Sequence, residues 1–150
     1  MTQIVLIQRW GVYHWEDFRF KDGSMRDKFC IALVCKTYIP KSKSLEEIPF
    51  ILPTSQWEKY ERNPTWLVDT VILNPNESKF FPKKTILDLK NIQMVEREIL
   101  KNAVENGKLT FKGLLEEDIC KKVEEGIKKA KTLSPLIKEL LLCESLEENS

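Results

Sequence analysis

Apolar and polar residues alternate from Val12 to Phe20: Tyr13 and Trp15 stand against His14 and Glu16, and Phe18 and Phe20 flank Arg19. That period of two, rich in aromatic rings, predicts a strand. Lys21-Asp22-Gly23-Ser24 follows, and Asp-Gly predicts a reversal because glycine takes a positive φ at little cost. Phe29 to Cys35 is apolar at every position, the pattern of a central strand covered on both faces. Lys36 to Glu47, polar and interrupted by Pro40, reads as an exposed loop. Ile48 to Pro53 predicts a short strand ending in Thr54-Ser55-Gln56. Trp66 to Leu73, stopped by Asn74-Pro75-Asn76, and Thr85 to Leu89 predict two more. Strands this short and closely spaced suggest a small barrel or sandwich, with Phe18, Phe20, Ile31, Leu33, Ile51 and Ile72 inside it.

The period then lengthens toward 3.6. Val95, Ile99 and Ala103 share a helical face ahead of an Asn106-Gly107 stop. A second helix, from about Glu116 to Lys131, carries the stripe Ile119, Val123, Ile127 and Ala130. Its other faces offer Glu117 to Lys121, Asp118 to Lys122, Glu124 to Lys128 and Glu125 to Lys129 as i,i+4 pairs, so its charge belongs to a solvated surface. Ser134-Pro135 opens a last helix through about Cys143, and an acidic tail follows Glu144. Strands followed by helices predict one α+β domain over 1–150, with a barrel over about 1–90 and helices over about 91–144 packed on one side of it.

Composition narrows the function classes. The net charge is +1 with 31% charged residues, so the whole-molecule field exerts no strong pull on nucleic acid, and any such contact must be local. The Arg19 to Lys28 segment is the local candidate, with Arg19, Lys21, Arg26 and Lys28 against Asp22 and Asp27. The longest apolar run is far below the roughly 20 residues of a membrane span, and Met1 to Trp10 lacks a basic leader region. These features predict a cytoplasmic protein. Cys30, Cys35, Cys120 and Cys143 form no C-x-x-C pair and read as buried thiols in a reducing compartment, with no metal site. Cys30 and Cys35, five apart, would face opposite sides of one strand and could not bridge each other.

No nucleotide-binding glycine motif, H-E-x-x-H or G-x-S-x-G occurs. His14 is the single histidine, which excludes a two-histidine nuclease and suits a structural role. What the residues do carry is a resemblance. Trp15-Glu16-Asp17-Phe18-Arg19-Phe20-Lys21-Asp22-Gly23-Ser24, followed by Cys30-Ile31-Ala32-Leu33-Val34, resembles the opening of MazF/PemK toxins. Ile51-Leu52-Pro53-Thr54-Ser55 is similar to their next landmark, and Gly107-Lys108-Leu109-Thr110 before an amphipathic helix to their C-terminal end. Asp22 to Lys28 and Thr54 to Gln56 are shared more closely with a divergent bacterial branch of the superfamily.

The resemblance implies an SH3-like antiparallel barrel of the MazF/PemK/CcdB type, a homodimer, a small antitoxin protein as partner, and cofactor-free, metal-independent cleavage of single-stranded RNA, as in mRNA interferases. In that chemistry a 2′-hydroxyl attacks the adjacent phosphorus, which needs proton transfer and a cation on the phosphorane. Where the family carries Arg-Pro, this chain has Cys30-Ile31. The catalytic candidates are therefore Arg26 or Lys28 with Thr54 or Ser55, and Arg19, Lys21 and Gln56 are the RNA-binding candidates. The competing reading is a catalytically silent SH3-like module that binds nucleic acid or a protein partner; a strand-terminal Thr-Ser is also ordinary turn chemistry. Trp10, Tyr13, Trp15 and Trp57 form an aromatic surplus that either packs at a dimer interface or closes the barrel ends.

Overall fold

The computed structural model describes residues 6–20, 22–37 and 47–143. Most of the polar loop after Lys36, the tail after Cys143, and Lys21 lie outside the described residues. The chain forms two compact units, each built from two stretches of sequence: residues 1–50 with 93–114, and 51–92 with 115–150.

The first unit is built on a five-stranded sheet. Its strands are β1 (Gly11–Arg19), β2 (Met25–Ala32), β3 (Glu47–Ile51), β6 (Gln93–Glu96) and β7 (Leu109–Leu114), in spatial order β6-β3-β2-β1-β7. The β1–β2, β1–β7 and β3–β6 pairs are antiparallel. The expected reversal after β1 holds: the Gly23 N–H donates to the Phe20 carbonyl at 3.0 Å, Gly23 has φ of +89°, and Asp22 Oδ1 accepts from the Ser24 N–H and hydroxyl. The side chains of Val12, Tyr13, Trp15, Phe18, Cys30, Ile31, Leu33, Ile48 and Phe50 are buried. Rings of Trp15 on β1 and Phe50 on β3 meet at 6.2 Å across the intervening strand, so both stand on the same face of the sheet. β6 and β7 end the strand order, and among the described residues the strands form an open sheet rather than the expected closed barrel.

Two irregularities shape β1. Trp15 pairs with Lys28 and Phe18 with Arg26, so Glu16 and Asp17 together oppose Asp27 in a bulge, with Asp17 at φ +56°. Near its start, Tyr13 lies fully buried, its hydroxyl donating to the Leu6 carbonyl at 2.7 Å and accepting the Gln8 N–H at 3.0 Å. A buried hydroxyl needs such partners, and burial pushes its pKa up to about 12. Helix α2 (Arg97–Glu105) follows β6 directly and stops at Gly107, φ +67°.

The second unit pairs β4 (Thr70–Leu73) with β5 (Thr85–Asp88) as a separate antiparallel sheet, and Thr54 adds a single bridge to Ile86. Around it stand α1 (Trp57–Arg62), α3 (Glu117–Lys129) and α4 (Pro135–Leu142). α3 buries Ile119, Cys120, Val123 and Ile127 with Ala130 just beyond its end, the stripe expected from spacing. Of its expected surface pairs, Glu117 and Lys121 stand 3.7 Å apart, while Lys122 turns to Glu77 and Lys128 to Glu125. Ser134 caps α4 by accepting the Ile137 N–H at 3.2 Å. Asp69 accepts from the Lys131 and Thr132 N–H groups and the Thr132 hydroxyl, tying the chain down just past α3. Asp88, buried, receives the Tyr60 hydroxyl at 2.9 Å, the Asn91 amide at 2.7 Å and Lys90 Nζ at 2.9 Å, so every lone-pair direction it buries is used.

Several expectations are corrected. The segment after residue 90 is not wholly helical, because β6 and β7 lie in it and complete the first sheet. Val95 is a strand residue; the buried helical positions behind it are Leu100 and Ala103, and Ile99 is 53% exposed. Only residues 70–73 of the expected 66–73 strand pair as a strand, since Pro64–Leu67 is a 3-10 turn whose Trp66 carbonyl, like that of Val68, receives Lys90 Nζ. Phe18, Ile31, Leu33 and Ile51 are core residues, whereas Ile72 is 39% exposed and Phe20 half-buried. Cys30 and Cys120 are buried thiols outside any disulfide, but Cys35 and Cys143 are disulfide-bonded, so the four-thiol reading holds for two. Among the described residues no helix is long and apolar enough to cross a membrane.

Candidate functional site

The β1–β2 hairpin carries three of the expected cations. Arg26 and Lys28 are two apart on β2 and share one face, whereas Arg19, paired with Met25 at the end of β1, lies with Asp27 on the other. The Arg26 guanidinium lies over the Phe20 ring, 4.7 Å from its centroid, and Phe20 in turn packs edge-on against Phe18 at 5.1 Å. Arginine stacked on a ring keeps its N–H edge available to an anion. Arg26 and Arg19 are exposed, Arg19 reaching the Met25 sulfur at 3.9 Å, whereas Lys28 is half-buried. Burial, reinforced by the positive charge of Arg26, holds the Lys28 ammonium below its ordinary pKa. Lys21 lies outside the described residues.

Thr54, Ser55 and Gln56 belong to the second unit. Thr54 is held by two backbone hydrogen bonds to Ile86, 3.0 and 2.8 Å, and its hydroxyl accepts the Gln56 N–H at 3.2 Å. That is the turn chemistry of a threonine leading into a helix, here α1. The hydroxyl of Thr54 is thus already engaged, and Ser55 and Gln56 are exposed beside it. Of the expected set, Arg19, Arg26 and Lys28 lie on one hairpin of the first unit, and Thr54 to Gln56 on one turn of the second.

Beside the β1 bulge the first unit holds a cleft of about 640 Å³, bounded by Trp15 to Phe20 on one side and by β6 and α2 on the other. Its size is that of a small-ligand or peptide pocket. Met94 and Ile99 supply exposed apolar surface, and Arg19, Asn102, Asn106 and Lys108 supply polar groups. Lys108 Nζ sits 3.0 Å from Asp17 Oδ2, a hydrogen bond that raises the lysine pKa. On the outer face His14 packs edge-on to Phe29 at 5.3 Å and stands 3.9 Å from Asp27, whose other oxygen accepts the Asp17 N–H. His14 is therefore bound into packing, as a lone strand histidine usually is. Among the described residues no three His, Cys, Asp or Glu side chains converge on a common metal position. Tyr13 and Trp15 belong to the interior, and only Trp10 and Trp57 of the aromatic surplus are partly exposed.

One group of residues escaped sequence reasoning. Lys84 places its ammonium 3.3 Å above the Trp57 ring, and Lys79 lies 5.1 Å from the Phe80 ring. The available signal was the run Lys79-Phe80-Phe81-Pro82-Lys83-Lys84, three cations and two rings with no acid. It went unused because the run interrupts no period and matches no motif. The chain matches no protein-family model and no curated protein.

Proposed function

We propose that this chain is a MazF/PemK-like protein that acts on single-stranded RNA and grips its phosphate backbone with the β1–β2 hairpin. The observation that carries the reading is Arg26, exposed and stacked on Phe20, with Arg19 and Lys28 on the same hairpin. A ring-supported guanidinium offers paired donors to phosphate oxygens, and the ring edge offers a surface for bases. The antiparallel β1–β2 hairpin within a five-stranded sheet is compatible with an SH3-like barrel of the MazF/PemK/CcdB type, which belongs to the same proposal. The resemblance of Asp22 to Lys28 and of Thr54 to Gln56 to that family favours its substrate.

As a toxin-like, metal-independent endoribonuclease the protein would have the RNA's 2′-hydroxyl form the new bond to phosphorus while the 5′-oxygen leaves. The products are a 2′,3′-cyclic phosphate and a 5′-hydroxyl. Arg26 would stabilise the phosphorane, and Lys28, two residues away on the same face, would add a second positive charge. Ser55 is the freer of the two hydroxyls. A small antitoxin protein and a homodimer belong to the same proposal.

The second reading, a non-catalytic RNA- or protein-binding module, is favoured by the engagement of the Thr54 hydroxyl with the Gln56 N–H. Incubating the purified chain with a mixed single-stranded RNA pool in EDTA separates the two. Cleavage leaving cyclic phosphate, reduced roughly a hundredfold in Arg26→Ala, supports the enzyme. RNA bound but intact supports the module, and RNA neither bound nor cut refutes both RNA readings.

A further inference from the structure

We infer that the lysine loop of the second unit, Lys79 to Lys84 together with Trp57, is a contact surface for the backbone and bases of single-stranded RNA; the inference rests on the RNA reading above. The loop is built rigidly. Ser78, 1% exposed, donates its hydroxyl to Glu116 at 2.9 Å, and Glu116 also accepts the Lys79 N–H at 2.8 Å. The Ser78 hydroxyl oxygen in turn accepts the Phe80 N–H at 3.2 Å, and at the far end the Thr85 hydroxyl donates to the Lys83 carbonyl at 2.9 Å. The three lysines are thus presented from a fixed backbone, which lowers the entropy lost on binding.

The charge they present is not spent at the loop's foot. Glu77 is paired with Lys122, and Glu116 is committed to Ser78 and the backbone. On α1, Glu58 and Glu61 are balanced by Lys59 and Arg62, leaving the three loop cations as the local excess. Lys79 and Lys83 are exposed. The Thr54–Ile86 bridge lays the Ser55-Gln56-Trp57 segment alongside the end of this loop, where Lys84 covers Trp57. An ammonium held on a ring still directs N–H donors away from it. Exposed Lys79 and Lys83, with Lys84 beside the Trp57 ring and no acid in the run, set cations next to a ring as a strand of phosphates and bases requires.

The test is binding of the full chain to a short, unstructured, fluorescein-labelled oligoribonucleotide, read by anisotropy across a potassium chloride series. Lys83→Gln/Lys84→Gln should weaken binding about tenfold and flatten the dependence of log K on log salt by about 1.4, the share of two phosphate contacts on a single strand. Trp57→Leu should weaken binding several-fold with a smaller change of slope. Lys79→Gln/Lys83→Gln, which changes only exposed side chains, repeats the test should the first variant fail to fold. Lys128→Gln/Lys129→Gln on the solvated face of α3 should bind as wild type. Wild-type affinity and slope in both loop variants, with binding still weakened by Arg26→Ala, would overturn the inference and leave the RNA reading standing. A wild-type chain that binds no RNA would overturn both.

Discussion

Adding one methyl group at Gly11 should destabilise the first unit, and the structure gives the reason and the size. A Cβ there would lie 2.7 Å from Tyr13 Cε2, 2.8 Å from its hydroxyl oxygen and 2.9 Å from Cζ, inside any real carbon contact. Neither side can yield easily. The Tyr13 ring is fully buried and pinned through its hydroxyl to Leu6 and Gln8. The backbone before Gly11 is fixed by the Trp10 N–H on the Ala32 carbonyl at 2.8 Å and the Gly11 N–H on the Gln8 carbonyl at 3.0 Å. Overpacking of this kind costs about 1–3 kcal/mol, and a midpoint of about 2 kcal/mol lowers Tm by roughly 4–8 °C in a chain of this size. The assay is a double-mutant cycle by urea unfolding. Tyr13→Leu removes the ring, so Gly11→Ala should become nearly neutral in that background, a coupling of about 2 kcal/mol. If Gly11→Ala costs less than about 0.5 kcal/mol, or costs the same with and without the ring, the steric argument fails.

Gly126→Ala sets a helix-propensity gain of about 1 kcal/mol against a Cβ placed 2.9 Å from the buried Leu89 and 3.1 Å from Val71. A net loss of stability is expected, and Gly126→Ala with Leu89→Ala should recover the contact term. Tyr60, raised to about 12 by burial and by its bond to Asp88, stays neutral in the folded state longer than in the unfolded one. Its contribution is complete below the unfolded value of about 10 and is lost as pH rises toward 12; Tyr60→Phe should flatten stability over that window in unfolding titrations. Asp69→Ala, which strips the Lys131 and Thr132 N–H groups of their acceptor, should cost about 1 kcal/mol in thermal unfolding. Cys30, whose thiol burial pushes well above its ordinary pKa, should resist iodoacetamide at pH 8 until the chain is unfolded.

Local signals were readable where one residue type had one physical use. The aromatic alternation of β1, Asp22-Gly23 at the turn, the α3 stripe and the Ser134-Pro135 start all act within a few residues of themselves, and each stands where its chemistry predicts. The failures are non-local or short. Leu109 to Leu114 alternates as a strand should, yet only pairing with β1, far away in sequence, gives it a role. Val95 matched a helical spacing by coincidence, because a four-residue strand runs straight into α2. Trp57–Arg62 is too short and too polar to show a period. The candidate hairpin cations could be named from sequence, but the stacking of Arg26 on Phe20 and the engagement of the Thr54 hydroxyl depend on side-chain directions that no spacing contains.

The pairing of β1 with β7 also sets a timetable. Gly11 pairs with Leu114 and Trp15 with Leu109, so β1 has no lasting partner on that edge until β7, roughly a hundred residues later, has been made. At about 5–20 residues per second this wait lasts on the order of 5–20 s. During it Tyr13, Trp15 and Phe18 belong to an incomplete sheet with an open edge, the condition in which nascent chains recruit chaperones or one another. Slow, non-local closure of this kind predicts that yield in cells depends on translation rate and temperature more than on the final stability of the fold.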